Sequence, residues 1–179
     1  MELDWAILDA IQNLIGGSFM DAVMPKITAL GNGGLIWIII GVVLLISKKH
    51  RKAGIFVLAG LLIGLIIGNG LIKNLVQRER PCWINQDFNL LIPSPKDYSF
   101  PSGHTQASAI AATIITLYRK KWGAVVIPIA ALIAFSRMYL YVHFPTDILG
   151  GAVIGITIGV LTFMMGNKIV SAIKDKSGN

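Results

Sequence analysis

Charge is what this 179-residue sequence has least of. Asp, Glu, Lys and Arg make up only 14% of it, against about 25% in an ordinary soluble domain. Acidic residues number nine and cysteine occurs once, as Cys82. A lone cysteine excludes an intrachain disulfide framework. No basic run precedes an apolar core at the N-terminus, which begins Met1-Glu2-Leu3-Asp4, so a cleaved signal peptide is not expected.

What fills the sequence instead is apolar residues, 54% of the total, gathered in blocks rather than spread at amphipathic spacing. This is the composition of an integral membrane protein, and the length suits one all-α helical bundle over residues 1–179. The net charge of +7 sits mainly in three clusters: Lys48, Lys49, Arg51 and Lys52; Arg119, Lys120 and Lys121; Lys168, Lys174 and Lys176. Each closes an apolar block, where cytoplasmic loops collect basic residues. A nucleic-acid surface would need a basic groove with aromatic stacking partners, so no nucleic-acid partner is expected.

Residues 2–15 place Ile7, Leu8, Ile11, Leu14 and Ile15 on one helical face, with Asp4, Asp9, Gln12 and Asn13 elsewhere. That pattern suits a helix lying in the interface. Gly16-Gly17 interrupts it, a second helical stretch runs from Phe19 to Leu30, and Gly31-Asn32-Gly33-Gly34 breaks the chain again. Residues 1–30 are therefore expected as interfacial or re-entrant helices, 31–170 as the core bundle and 171–179 as a cytoplasmic tail. Five spans are expected: Leu35–Ser47, Ala53–Val76, Ser102–Tyr118, Trp122–Tyr141 and Thr146–Asn167, or six if the N-terminal stretch crosses. The first is short against the roughly 20 residues a crossing helix needs.

With the basic clusters in the cytoplasm, the segment from Arg78 to Pro101 and the turn at His143 lie together outside. Within it, Leu90-Leu91-Ile92 is expected to dip into lipid. Glycines 60, 64 and 68, and again 151, 155 and 159, recur every fourth residue, a spacing that lets helix backbones approach closely in lipid. No part of the sequence specifies an oligomeric state.

Charges at membrane spans are costly, and three groups of them project to the same outer face. Lys73 and Arg80 are seven residues apart, two helical turns, and would form an anion clamp; alone, they read more readily as snorkelling side chains. In Pro101-Ser102-Gly103-His104, Ser102 is placed to cap a helix and Gly103 lets an anion approach the free N–H groups; alone, this is a cap beside a structural histidine. In the third group Arg137 offers a planar fork for phosphate oxygens, and Asp147 follows His143 by four residues. If that turn is helical, the carboxylate accepts the Nδ1 proton and leaves Nε2 as a free lone pair. Together the three groups describe a phosphoryl-transfer site whose negative charge is handled by the protein. No cluster of Asp, Glu and Cys accompanies the histidines, so neither a metal nor another cofactor is expected.

These segments resemble the tripartite signature of the type-2 phosphatidic acid phosphatase superfamily: Lys, six residues, Arg-Pro; Pro-Ser-Gly-His; Ser-Arg, five residues, His, three residues, Asp. The resemblance implies His143 as a nucleophile forming a phosphohistidine, Asp147 as its partner and His104 as acid for the leaving oxygen. It implies Lys73, Arg80, Ser102, Gly103 and Arg137 as ligands of the phosphoryl oxygens. Small size and an outward-facing site resemble the bacterial branch that acts on lipid phosphates, either undecaprenyl diphosphate or phosphatidylglycerophosphate. Some undecaprenyl-diphosphate members carry Asp where this chain has Gly103. The competing reading is a membrane binding or transport protein for a phosphorylated solute, which would have no use for the His143–Asp147 pair.

Overall fold

Two runs of small residues decide how the helices meet. In the computed structural model, which describes residues 1–177, helix α7 (Gly103–Tyr118) lies between the two glycine stripes. On one side is α9 (Pro145–Ser177). A methyl group at Gly151 would sit 2.7 Å from the Ser102 carbonyl oxygen, and one at Gly155 would sit 2.5 Å from that of Gln106. On the other side, α4 (Arg51–Gly64) and the π-helical stretch Leu65–Ile72 bring Gly60, Gly64 and Gly68 against Ile110 and Gln106. Backbones at this separation gain van der Waals contact where lipid provides no hydrophobic drive.

The remaining elements close around this centre. α3 (Leu35–Ile46) crosses α4 where Gly41 and Gly54 approach, and Trp37 Nε1 donates to Ser108 Oγ of α7 at 2.8 Å. α8 (Lys120–Tyr139) flanks α7, while α1 (Glu2–Ile15) and α2 (Ser18–Leu30) rest on α8. Short helices α5 (Lys73–Val76) and α6 (Pro81–Ile84) follow the π-helical stretch. No strand occurs among the described residues.

Three segments are long and apolar enough to cross a membrane: Arg51–Ile84, Lys120–Tyr139 and Pro145–Ile173. A fourth arises if Ser18–Leu30 and Asn32–Ile46, bent by 44°, act as one broken span. At most a third of each single-segment window is buried, so the apolar surface faces outward, as a lipid solvent requires. The short first candidate span reaches crossing length only together with the helix before it. The expected span at 102–118 is a central helix of only 16 residues, wrapped by its neighbours.

The expected amphipathic face of α1 is rotated. Leu8 and Ile11 are buried, Leu14 and Ile15 are exposed, and Asp4, read as a polar-face residue, points inward. Leu90 and Ile92 fold back onto the protein beside Leu140 and Val142, leaving only Leu91 of that trio exposed. The basic loops after α3 and α7 meet at one end of the bundle, where Tyr118 Oη donates to the Lys49 carbonyl oxygen at 3.1 Å and His50 stands edge-on to Trp122. The tail expected at 171–179 continues α9 to Ser177, and the side chains of Lys174 and Lys176 lie outside the described residues.

Candidate active site

At the end of the bundle away from those basic loops, α5, α7, α8 and α9 present their termini to one another. α7 begins there because Ser102 caps it, accepting from the Thr105 N–H at 3.4 Å. α9 begins with Pro145 at its first position, and Asp147 reaches back to accept from the Phe144 N–H at 2.8 Å. His143 lies in the turn between α8 and α9, and the Ser102 N–H donates to the Asp147 carbonyl oxygen at 3.1 Å, tying the two helix starts together.

The proton on His143 can be located from its neighbours. Arg80 Nη1 lies 3.1 Å from His143 Nε2, and a guanidinium can only donate. Nε2 is therefore the acceptor, and the proton of the neutral ring sits on Nδ1. That nitrogen is 3.5 Å from Asp147 Oδ2 and 3.4 Å from Ser99 Oγ, whose hydroxyl donates to the same carboxylate oxygen at 2.5 Å. The expected His–Asp pairing across one helical turn is present as a close approach, with Ser99 joining the two groups. Burial, and then the positive charge of Arg80, Arg137 and Lys73, holds the His143 imidazole well below its usual pKa, in its neutral form.

Lys73 and Arg80 meet by a route other than the one their spacing suggested. Helix α5 stops at Val76, and Gln77 takes a left-handed φ of 50°, so Arg80 arrives through non-helical chain. Both cations nevertheless converge on Asp97: Lys73 Nζ pairs with Oδ2 and Arg80 Nη2 with Oδ1 at 2.8 Å. Arg80 also donates through Nε to the Asp97 carbonyl oxygen and through Nη1 to that of Val142, both at 2.6 Å. Burial alone would raise the Asp97 carboxyl, but the two cations outweigh it and hold it at about 2.

Arg137 donates through Nη1 to Thr28 Oγ1 at 2.7 Å, and its buried Nε finds no acceptor among the described residues. His104 Nε2 lies 3.0 Å from Asn32 Oδ1. Asn32 sits in a tight turn whose Gly33 and Gly34 take left-handed φ values of 58° and 74°, and whose Gly31 packs so close to His104 that a methyl group there would sit 2.7 Å from ring carbon Cδ2. Gly103 stands at the first turn of α7, facing Asn69 of the π-helical stretch.

Lys73, Arg80, Gly103, His104, Arg137 and His143 all line one cleft of about 870 Å³. Ser102 does not: its hydroxyl is buried behind them, receiving the Thr105 hydroxyl at 3.1 Å, so it shapes the helix start. Asp147, fully buried, backs His143 in the same way. The opposite wall is apolar, built from Ile38, Leu58, Leu61, Leu62 and Leu65. Sequence reading missed Thr28, Asn32, Asp97 and Ser99. The first two come from a stretch read as peripheral, and the only signal for them was the Gly31-Asn32-Gly33-Gly34 break. Asp97 and Ser99 lie just before Pro-Ser-Gly-His, in a loop with no periodicity to read. Among the described residues, no group of three His, Cys, Asp or Glu is arranged to hold a metal ion.

Known proteins resemble this chain in sequence and fold. The chain is 34% identical over 128 residues to an undecaprenyl-diphosphatase of Sulfolobus acidocaldarius; the match covers 71% of this chain and 62% of that protein, less than two-thirds of its length. It is 34% identical over 167 residues to undecaprenyl-diphosphatase BcrC of Bacillus subtilis, covering 90% of this chain and 83% of the relative. The crystal structure of a transmembrane PAP2-type phosphatidylglycerolphosphate phosphatase from Bacillus subtilis superposes with a TM-score of 0.75 at 29% identity, covering 94% of this chain and 86% of the other. Residues 53–171, which carry every residue of the signature, match the PAP2 superfamily. The chain belongs to the PAP2 superfamily, as an all-helical membrane member whose relatives are named as lipid phosphatases.

Proposed function

We propose that the protein hydrolyses a phosphate or diphosphate group on a membrane lipid in two steps, through a phosphohistidine on His143. The observation that carries this reading is the His143 Nε2 lone pair, facing Arg80 in a cleft that is cationic on one side and apolar on the other. In the first step Nε2 attacks phosphorus and the bond to the lipid oxygen breaks, with His104 giving that oxygen a proton. Asp147 supports the charge that develops on the imidazole. In the second step water attacks the phosphorus, His104 takes its proton, and inorganic phosphate leaves.

Lys73, Arg80, Arg137 and the N–H groups at the start of α7, beginning with Gly103, hold the phosphoryl oxygens. Their fixed charge serves in place of a divalent ion. Ser102 contributes through the cap it forms. The apolar wall receives the lipid chain, and undecaprenyl diphosphate and phosphatidylglycerophosphate are the two candidate substrates. The site opens on the extracytoplasmic face of the cell membrane and the C-terminus lies in the cytoplasm, because the basic loops gather at the other end.

Purified protein in detergent should release inorganic phosphate from a lipid phosphate in excess chelator, and rapid quenching with labelled substrate should trap an acid-labile, base-stable phosphoenzyme. Turnover that requires added Mg²⁺, or that passes through no covalent species, would refute the mechanism. A ratio of kcat/KM between the two candidate lipids assigns the substrate.

A further inference from the structure

Arg78 lies among the six signature positions between Lys73 and Arg80-Pro81 where no residue type is specified. Nothing in the phosphoryl chemistry described above requires it, and it does not line the cleft. Yet it is more tightly held than a loop arginine needs to be. Its Nη1 donates to Asp147 Oδ1 at 2.7 Å and to Thr146 Oγ1 at 2.6 Å. Its Nη2 donates to Asp4 Oδ2 at 2.8 Å. The guanidinium carbon stands 4.3 Å above the centre of the Phe144 ring, which also meets the edge of Trp5 on α1.

Asp4 accepts in turn from the Thr146 N–H at 3.1 Å and hydroxyl at 2.9 Å, so α1 is joined to the start of α9 on both sides of the arginine. Asp147 divides its two oxygens between two roles. Oδ2 receives Ser99 and the Phe144 N–H and faces His143, while Oδ1 receives Arg78. A carboxylate held from behind at one oxygen cannot rotate about its Cβ–Cγ bond, so the other stays aimed at the imidazole. Asp4 offsets the arginine's charge, which would otherwise weaken the ability of Asp147 to support an imidazolium.

We propose that Arg78, held by Asp4 of the N-terminal helix, is a positioning residue that fixes the Asp147 carboxylate toward His143. α1, a helix outside the signature, is thereby part of the catalytic framework. The inference rests on the proposed role of His143. The test compares wild type with Arg78→Ala, Arg78→Lys and Asp4→Asn in detergent, measuring phosphate release, inhibition by inorganic phosphate and single-turnover phosphoenzyme formation.

Arg78→Ala should lower kcat and the phosphorylation rate by roughly 10- to 100-fold, the usual cost of losing a group that orients a reacting one, with the inhibition constant of phosphate changed less than about twofold. Arg78→Lys should restore part of the rate. Asp4→Asn, nearly isosteric, should lose about three- to tenfold in kcat with the same unchanged phosphate inhibition, and it carries the test if Arg78→Ala does not fold. In an Asp147→Asn background, Arg78→Ala should add little further loss, since both act through one carboxylate. Full additivity with Asp147→Asn, or a loss of phosphate affinity matching the loss of kcat, overturns the proposal. Wild-type protein that forms no phosphoenzyme instead overturns the function on which it rests.

Discussion

Asp97 presents two cations with the kind of group they are proposed to bind in a substrate. Lys73 and Arg80 both pair with its carboxylate, so a phosphoryl group entering the cleft must displace or share that partner. The strength of the competition follows from its acidity. A carboxyl held at about 2 rather than 3.8 corresponds to roughly 2.4 kcal/mol of preference for the charged form. Its side chain is 56% exposed, and solvent screening brings the usable figure to about 1 kcal/mol, or about fivefold in affinity. Asp97→Asn keeps the side-chain volume and the backbone carbonyl that receives Arg80 Nε, but removes the charge. Inorganic phosphate should then inhibit about fivefold more tightly, measured against a water-soluble aryl phosphate. The sign with pH is fixed by the depressed pKa: the carboxylate is charged throughout the neutral and mildly acidic range, so the gain should be flat from about pH 5 to 8. Its contribution to stability is complete above about 3.8 and is lost as pH falls through about 2. Weaker phosphate inhibition in Asp97→Asn would refute the reasoning, showing that the carboxylate holds the cations ready rather than competing for them.

The division of labour between the histidines is tested by quenching single turnovers. His143→Ala should form no phosphoenzyme, whereas His104→Ala should form it slowly and recover part of its rate with an aryl phosphate whose leaving group needs no proton. Phosphoenzyme in the first variant and none in the second would exchange the two assignments. Asp147→Asn should retain the fold and lose on the order of 10²- to 10⁴-fold in kcat. The glycine stripes offer a packing test: a side chain at Gly155 meets the Gln106 carbonyl oxygen at 2.5 Å, whereas at Gly70 the nearest heavy atom is 3.8 Å away. Gly155→Val should lose about 1–3 kcal/mol of stability and much of the activity, with Gly70→Ala near neutral in a thermal unfolding assay in detergent.

The helical membrane class was legible because lipid imposes it: apolar blocks, basic block ends and small residues every fourth position each have one physical reading. The cradle was legible because fixed charges beside membrane spans demand partners, so Lys73, Arg80, Arg137 and His143 stood out against an apolar background. The partners themselves were not. Asp97 and Ser99 are brought to the site by a loop whose path depends on Arg80 reaching three of its polar atoms, a tertiary fact with no local spacing. Asp4 was assigned to a solvent face because helical periodicity counts apolar positions, and a carboxylate buried by a distant arginine breaks that count. Lys73 and Arg80 do come together, though not across two helical turns, since the helix ends between them at Gln77.

The N-terminal helices meet the site through its buried charges. Lys73, Arg80, Arg137, His143 and Asp147 are each no more than 4% exposed, and unpaired charge at such depth is costly. Three of the nearby carboxylates are already committed: Asp97 to Lys73 and Arg80, Asp4 to Arg78, and Asp147 to Arg78 while it backs His143. Among these cations Arg137 alone has no carboxylate partner among the described residues. It is satisfied only by the Thr28 hydroxyl of α2, and its Nε is left over. Lys73 and Arg80 share the single Asp97 carboxylate, so one unit of positive charge is left over there, as at Arg137. Residues 1–34 meet the site at three points. Thr28 accepts from Arg137, Asn32 lies within hydrogen-bond reach of His104, and Asp4 pairs with the arginine behind Asp147.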